Sequence, residues 1–123
     1  MASLGWSRVE EALGARVPAR VVEPVSARAA VAAVLRDGSP EGLELLFIRR
    51  AEHEGDPWSG HISFPGGRAE PGDDALVSTA IRETEEETGL HLDRDGELLG
   101  ALDELRAMAR VRPALREEPI SSR

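Results

Sequence analysis

Residues 63–90 read SFPGGRAEPGDDALVSTAIRETEEETGL, and the order of turn formers and carboxylates in them sets how the rest of the chain is read. An apolar approach, Ile62-Ser63-Phe64, stops at Pro65-Gly66-Gly67, residues suited to a tight turn where backbone comes close to a ligand or ion. A second turn at Pro71-Gly72 leads into Asp73 and Asp74, either of which can cap a helix N-terminus. Nothing from Ala75 to Thr88 breaks a helix, and Gly89 stands where a C-cap is expected. The expected local shape is strand end, glycine loop, helix, stop.

That helix carries Glu83, Glu85, Glu86 and Glu87. At roughly 100° per residue, Glu83, Glu86 and Glu87 share one narrow face. Three carboxylates near the negative end of the helix dipole are unfavourable without a cation. Leu76, Ala80 and Ile81 lie on or near the same side, which predicts that it faces inward or into a cleft. Clustered hard oxygens suit Mg²⁺ or Mn²⁺. Arg82 beside them can orient a carboxylate through a bidentate pair. A bare E-x-x-E-E reads more readily as a solvated acidic face; the glycine loop ahead of it shifts the balance.

In this order, Gly-Gly, acid, Arg-Glu-x-x-Glu-Glu-x-Gly-Leu, the stretch resembles the Nudix box, G-x5-E-x7-R-E-U-x-E-E-x-G-U with U aliphatic. Gly67 matches the leading glycine, Asp73 takes the place of the first glutamate, and Arg82, Glu83, Glu86, Glu87, Gly89 and Leu90 match directly. Asp73 for Glu, Thr84 for the aliphatic residue and eight intervening residues instead of seven are the departures. The longer spacing and the F-P-G-G lead-in are similar to the coenzyme A pyrophosphatase branch. That branch has L-L-x-x-R-S, an internal Arg, then G-x3-F-P-G-G. Leu45, Leu46, Arg49 and Gly60-x3-Phe64-Pro65-Gly66-Gly67 match it. Arg50 stands for the Ser, Glu54 for the internal Arg, and the loop is two residues longer.

The resemblance implies an α/β fold, a Nudix-type α/β/α sandwich with a mixed sheet. It implies a metal-dependent hydrolase that cleaves the diphosphate of a nucleoside diphosphate derivative. Coenzyme A or an acyl-CoA is the favoured substrate, giving 3′,5′-ADP and (acyl-)4′-phosphopantetheine; ADP-ribose and NADH are alternatives. Carried over by position, Glu83, Glu86, Glu87 and Arg82 are the catalytic residues. The same three glutamates and the Gly67 carbonyl hold Mg²⁺ or Mn²⁺, with Glu83 or Glu86 as base. Arg49, Arg50, Trp58, Gly66, Gly67 and Arg68 are expected to bind substrate. For Arg49 and Arg50 the chemistry is independent of the family, since a guanidinium fork matches phosphate oxygens. Trp58 is either a plug under its loop or a face for adenine or pantetheine.

The remainder of the 123 residues frames this stretch as a single domain, residues 1–123. Aromatics make up 3% of the chain, so any core is aliphatic. A formal net charge of −8 and the absence of a basic run argue against nucleic acid or an anionic membrane as partner. They leave a phosphorylated small molecule open where a divalent cation mediates. The chain has no cysteine, hence no thiolate nucleophile or disulfide. No signal pattern opens it and no apolar run nears the ~20 residues of a membrane span, so a cytoplasmic location is the default expectation.

Residues 1–20 are expected to hold an amphipathic helix, with Trp6, Val9 and Leu13 on one side and Gly14 at its end, then an extended arm. Ala29–Leu35 and Leu43–Ile48 read as a hairpin around Asp37–Gly42, buried on both faces. The polar connection Ala51–His61 is long. His91–Gly96 reads as a turn, Glu97–Asp103 as a further strand and Leu105–Arg110 as a helical turn, with an irregular tail over 104–123. One strand after the box is fewer than the sandwich needs. A truncated member that binds metal or nucleotide without turnover, a gene fragment, and a protomer completed by its partner in a homodimer are the readings of that shortfall.

Overall fold

The computed structural model describes residues 5–52, 54–55 and 60–106. Its organising element is helix α2, Leu76–Thr88, which packs across one pair of strands, β1 (Ala29–Val31) and β6 (Gly66–Arg68). These two strands run antiparallel with Ala29, Ala30 and Val31 opposite Arg68, Gly67 and Gly66. Two further antiparallel pairs complete the strands: β2 (Leu35–Asp37) with β3 (Leu43–Leu45), and β4 (Ile48–Arg49) with β5 (Ile62–Ser63). The chain is α/β in content. Among the described residues the strands form three separate two-stranded antiparallel sheets.

Helix α2 ends as its sequence dictates. Gly89 adopts φ of 82°, and its N–H donates to the Glu85 carbonyl at 2.8 Å. A left-handed residue at this position suits glycine, which has no Cβ to clash. The start differs from expectation. Ala75 is the N-cap, whose methyl group cannot cap; Asp73, one of the two expected caps, stands two residues earlier with its carboxylate bonded to Arg82.

The glycine pair also departs from the expected turn. The bend falls at Pro65, and Gly66 and Gly67 already belong to β6 with ordinary negative-side backbone. Their use is close approach. A Cβ on Gly66 would sit 2.6 Å from the Val31 Cα, and one on Gly67 2.5–2.7 Å from the Glu83 carboxylate. The predicted turn at Pro71-Gly72 is present, closed by the Asp73 N–H donating to the Glu70 carbonyl at 2.9 Å.

The hairpin reading of Ala29–Leu35 with Leu43–Ile48 holds only in its tip. There Leu35 faces Leu45, and Gly42 takes φ of 102°. The first run divides: residues 29–31 pair with β6 and residues 35–37 with β3. The strands are not buried on both faces, since Val31 is 60% and Phe47 52% exposed. The cause is the single covering element: α2 lies over β1 and β6, and no second helix covers the β2–β3 hairpin among the described residues.

The first helix, α1, spans Trp6–Gly14. The extended arm after it is fastened to residues 103–104. Arg16 donates to Asp103, the Ala19 N–H donates to Asp103 Oδ1 at 2.9 Å, and the Val21 N–H donates to Glu104 Oε1 at 2.8 Å. Those side-chain bonds take the place of the strand expected at Glu97–Asp103, which has no ladder partner among the described residues. The turn expected at His91–Gly96 closes as one helical turn, α3, Leu92–Asp95. Within the helical turn and tail expected after residue 104, everything beyond 106 lies outside the described residues.

Candidate functional site

The centre of the site is the Arg82 guanidinium, which is three-quarters buried between β6 and the turn before α2. One edge faces Asp73: Nε donates to Oδ1 and Nη2 to Oδ2, both at 3.0 Å. Nη2 also donates to the Arg68 carbonyl at 2.9 Å. Nη1 remains, and it points at carboxylates: Glu83 Oε2 at 3.1 Å, Glu86 Oε2 at 3.3 Å and Glu70 Oε2 at 3.5 Å. A planar fork with five donors can serve all these partners; an ammonium cannot.

Asp73 is itself held on every side. Its Oδ2 accepts from the Glu70 N–H at 2.9 Å and from the Thr79 hydroxyl at 2.8 Å, besides Arg82. Its side chain is 8% exposed. The Arg82 hydrogen bonds, then the Glu70 N–H, hold the Asp73 carboxyl far below its usual 3.8 against the opposing effect of burial. The Asp73 bonds raise Arg82 well above its ordinary value. Each group thus favours the charged form of the other.

Of the three glutamates of the predicted face, Glu83 and Glu87 lie against β6, and Glu86 joins them through Arg82. Glu83 lies deepest, 17% exposed, with its carboxylate over Gly67. Glu86 is 56% exposed and accepts from Arg82 Nη1. Glu87 Oε1 accepts from the Gly66 N–H at 3.0 Å. The face therefore runs from inside to outside along one turn, in place of facing wholly inward. Part of the charge that the cluster carries is answered by Arg82. Among the described residues no three carboxylate or histidine groups stand as a ready-made cation cage.

The donor set nevertheless suits a hard divalent ion in kind: carboxylates of Glu83 and Glu87 at a glycine strand whose missing Cβ leaves Glu83 its room, with that of Glu86 one turn on. Glu83, Glu86, Glu87 and the Gly67 carbonyl are the groups that would hold it. Near the other end of α2 a shallow hollow of about 240 Å³ is lined by Arg28, Ala69, Asp73, Ala75, Leu76 and Thr79. Its carboxylate is the one already bonded to Arg82, so it offers the ion nothing.

The expected substrate-binding residues fall in two groups. Gly66, Gly67 and Arg68 form β6 directly beneath the glutamates. Arg49 is exposed at the end of β4, with Nη2 3.7 Å from Glu52 Oε2. The Arg50 N–H donates to the His61 carbonyl at 2.8 Å, closing the base of the long loop. Trp58 lies outside the described residues. Sequence reasoning missed the roles of Thr79 and Glu70. Thr79, fully buried, reads from sequence as a weak helix former; its position six residues after Asp73 was the available signal.

Comparison with known proteins bears on this arrangement. Residues 26–119 match the NUDIX domain model. Over 46 residues the chain is 50% identical to the uncharacterized Nudix hydrolase NudL of Yersinia pestis (strain Pestoides F), and likewise to that of Yersinia pseudotuberculosis serotype O:1b (strain IP 31758). The matched segment is 37% of this chain and 23% of each relative's length, so the chain spans well under two thirds of those relatives. With the family model covering well over half of the sequence and the box residues gathered around Arg82, the chain belongs to the NUDIX domain family.

Proposed function

We propose that the protein is a divalent-metal-dependent pyrophosphohydrolase acting on a nucleoside diphosphate derivative, with coenzyme A or an acyl-CoA as the favoured substrate. The observation that carries this reading is the placement of Glu83 and Glu87 over the Gly66-Gly67 strand, with Arg82 bridging Glu83 and Glu86. Glu83, Glu86, Glu87 and the Gly67 carbonyl would hold Mg²⁺ or Mn²⁺. When bound, such an ion supplies Lewis-acid polarisation of the diphosphate and lowers the pKa of water. The chain's own residues do the rest. Arg82 holds Glu83 and Glu86 at a fixed separation, and Glu86, the more exposed of the two, takes the proton of the attacking water. Water oxygen bonds to phosphorus as the anhydride P–O bond breaks, so a coenzyme A substrate leaves as 3′,5′-ADP and 4′-phosphopantetheine. Arg49, Arg50 and Arg68 are the proposed phosphate contacts, because a guanidinium fork matches phosphate oxygens, with Trp58 as the base or pantetheine face.

The coenzyme A branch is supported by the F-P-G-G lead-in and by Leu45, Leu46 and Arg49. The fold proposed is one domain over residues 1–123, an α/β/α sandwich in its full family form. A cytoplasmic location agrees with the lack, among the described residues, of any helix long and apolar enough to cross a membrane. A second reading, a domain that binds metal or nucleotide without turnover, is favoured by one observation. Among the described residues Ala80 and Pro65 are the only buried apolar side chains, while Val31, Phe47, Ile62 and Leu98 are exposed. Covering that surface with a second copy of the chain is the homodimer version of the same reading.

The deciding experiment is a product-identified screen with Mg²⁺ or Mn²⁺ over coenzyme A, ADP-ribose, NADH, nucleotide sugars and nucleoside triphosphates. Cleavage of coenzyme A at its diphosphate, abolished by EDTA and by Glu87→Gln, is the expected result. Silence across the panel from folded, Mn²⁺-binding protein overturns the hydrolase reading in favour of the binding one.

A further inference from the structure

We infer that Thr79 is a positioning residue for the carboxylate cluster: its hydroxyl locks the Asp73 carboxylate that orients Arg82 between Glu83 and Glu86. The inference rests on reading that cluster as the cation site.

The chain of contacts is continuous. Thr79 is fully buried, so its rotamer is fixed by packing on both sides of Cβ. The one hydroxyl proton has two acceptors within reach, Asp73 Oδ2 at 2.8 Å and the Ala75 carbonyl at 3.5 Å. The shorter, charge-assisted bond takes it. Oδ2 thereby has three donors, Thr79, the Glu70 N–H and Arg82 Nη2, while Oδ1 has Arg82 Nε alone. Three donors on one oxygen set the plane of the carboxylate, and that plane sets the plane of the guanidinium that pairs with it. The Arg68 carbonyl fixes the guanidinium from the other side. Nη1 is left to project along one line, toward Glu83 Oε2 and Glu86 Oε2.

Without the Thr79 hydroxyl, the Asp73 carboxylate keeps the Glu70 N–H and the Arg82 fork but loses its one bond to a side chain of the first turn of α2, so the paired planes are held less tightly. The shorter aspartate at this position sharpens the need. Asp73 reaches less far than the glutamate of the box pattern, and Thr79 comes up from the first turn of α2 to meet it.

The test is Mn²⁺ binding to the full chain, read from the electron paramagnetic resonance signal of free Mn²⁺, with thermal unfolding of each variant alongside. Thr79→Val keeps shape and removes the hydroxyl; Thr79→Ser keeps the hydroxyl. Loss of a group bonded directly to a metal ligand typically weakens binding about ten- to a hundredfold. Thr79 acts through Asp73 and Arg82, so a loss at the lower end, about tenfold, is expected for Thr79→Val, with Thr79→Ser restoring affinity close to the parent. Unchanged Mn²⁺ affinity in folded Thr79→Val overturns the positioning role and leaves the hydrolase reading standing. Equal losses in both variants also overturn it, because packing and not the hydroxyl is then responsible. A parent protein that binds Mn²⁺ yet cleaves no diphosphate, with the Val-specific loss intact, keeps the positioning role and removes only the hydrolase reading.

Discussion

Arg82 grips Asp73 through two parallel hydrogen bonds, Nε to Oδ1 and Nη2 to Oδ2, both at 3.0 Å, across nine residues of sequence. This pair joins the turn before α2 to the acidic end of the helix, so the spacing of the glutamates depends on a residue that touches none of them.

The pair has a pH signature. The Asp73 carboxyl is held far below its usual 3.8, chiefly by the Arg82 hydrogen bonds, so its ionised form favours the folded state. A depressed folded pKa contributes stability that is complete above the unfolded value and is lost as pH falls toward the folded one. Asp73→Asn should therefore melt at a lower temperature than the parent at pH 7, and the two curves should converge as pH drops below about 4. Parallel melts from pH 3 to pH 8 check this; a constant gap throughout would place the effect outside the ionisation of Asp73.

Gly66 and Gly67 should respond differently to the same added methyl. In Gly66→Ala the new Cβ meets backbone of β1, with the Val31 Cα at 2.6 Å, and the strand pair must part. Overpacking of this kind costs about 1–3 kcal/mol, readable by urea unfolding. In Gly67→Ala the obstacle is the end of the Glu83 side chain, which can swing away. A smaller loss of stability and a larger loss of Mn²⁺ affinity are expected there.

Glu87 accepts from the Gly66 N–H through Oε1, an interaction that a glutamine oxygen can keep. Glu87→Gln should unfold within a few degrees of the parent while losing Mn²⁺ binding and any diphosphate cleavage. A calorimetric Mn²⁺ titration beside the product assay separates the two effects. Retained turnover would remove Glu87 from the chemistry.

Phe47 and Phe64 stack with ring centroids 5.0 Å apart and planes 17° from parallel, linking β3–β4 to the residue before Pro65. Phe47→Leu keeps much of the apolar area and loses the ring pair, worth about 1 kcal/mol. A drop of that size in urea stability, with Mn²⁺ affinity unchanged, is expected. An accompanying loss of affinity would show that the stack also aims the glycine strand.

Several features were legible before any fold was known. Gly89 ends α2 because only the local backbone is involved, and the i, i+3, i+4 spacing puts Glu83, Glu86 and Glu87 on one side of any helix they form. Trp6, Val9 and Leu13 gave the first helix by the same periodicity, and the Gly38–Gly42 loop gave the β2–β3 turn. The AAVAAVL run was misread as one buried strand. Its composition says apolar and extended, yet carries no mark of the point at which it changes partner from β6 to β3.

Sequence by itself thus determined what depends on neighbours within about one helical turn: the extent of α2, its stop, and the carboxylate-bearing face. Tertiary structure decided which partner each group takes. It turned Asp73 from a helix cap into the anchor of Arg82, made the glycine pair a strand that admits Glu83, and drew Glu87 to the Gly66 N–H. The physical reason is range: helix periodicity and turn preference act over a few bonds, whereas a hydrogen bond between residues 66 and 87 exists only once α2 lies across β1 and β6.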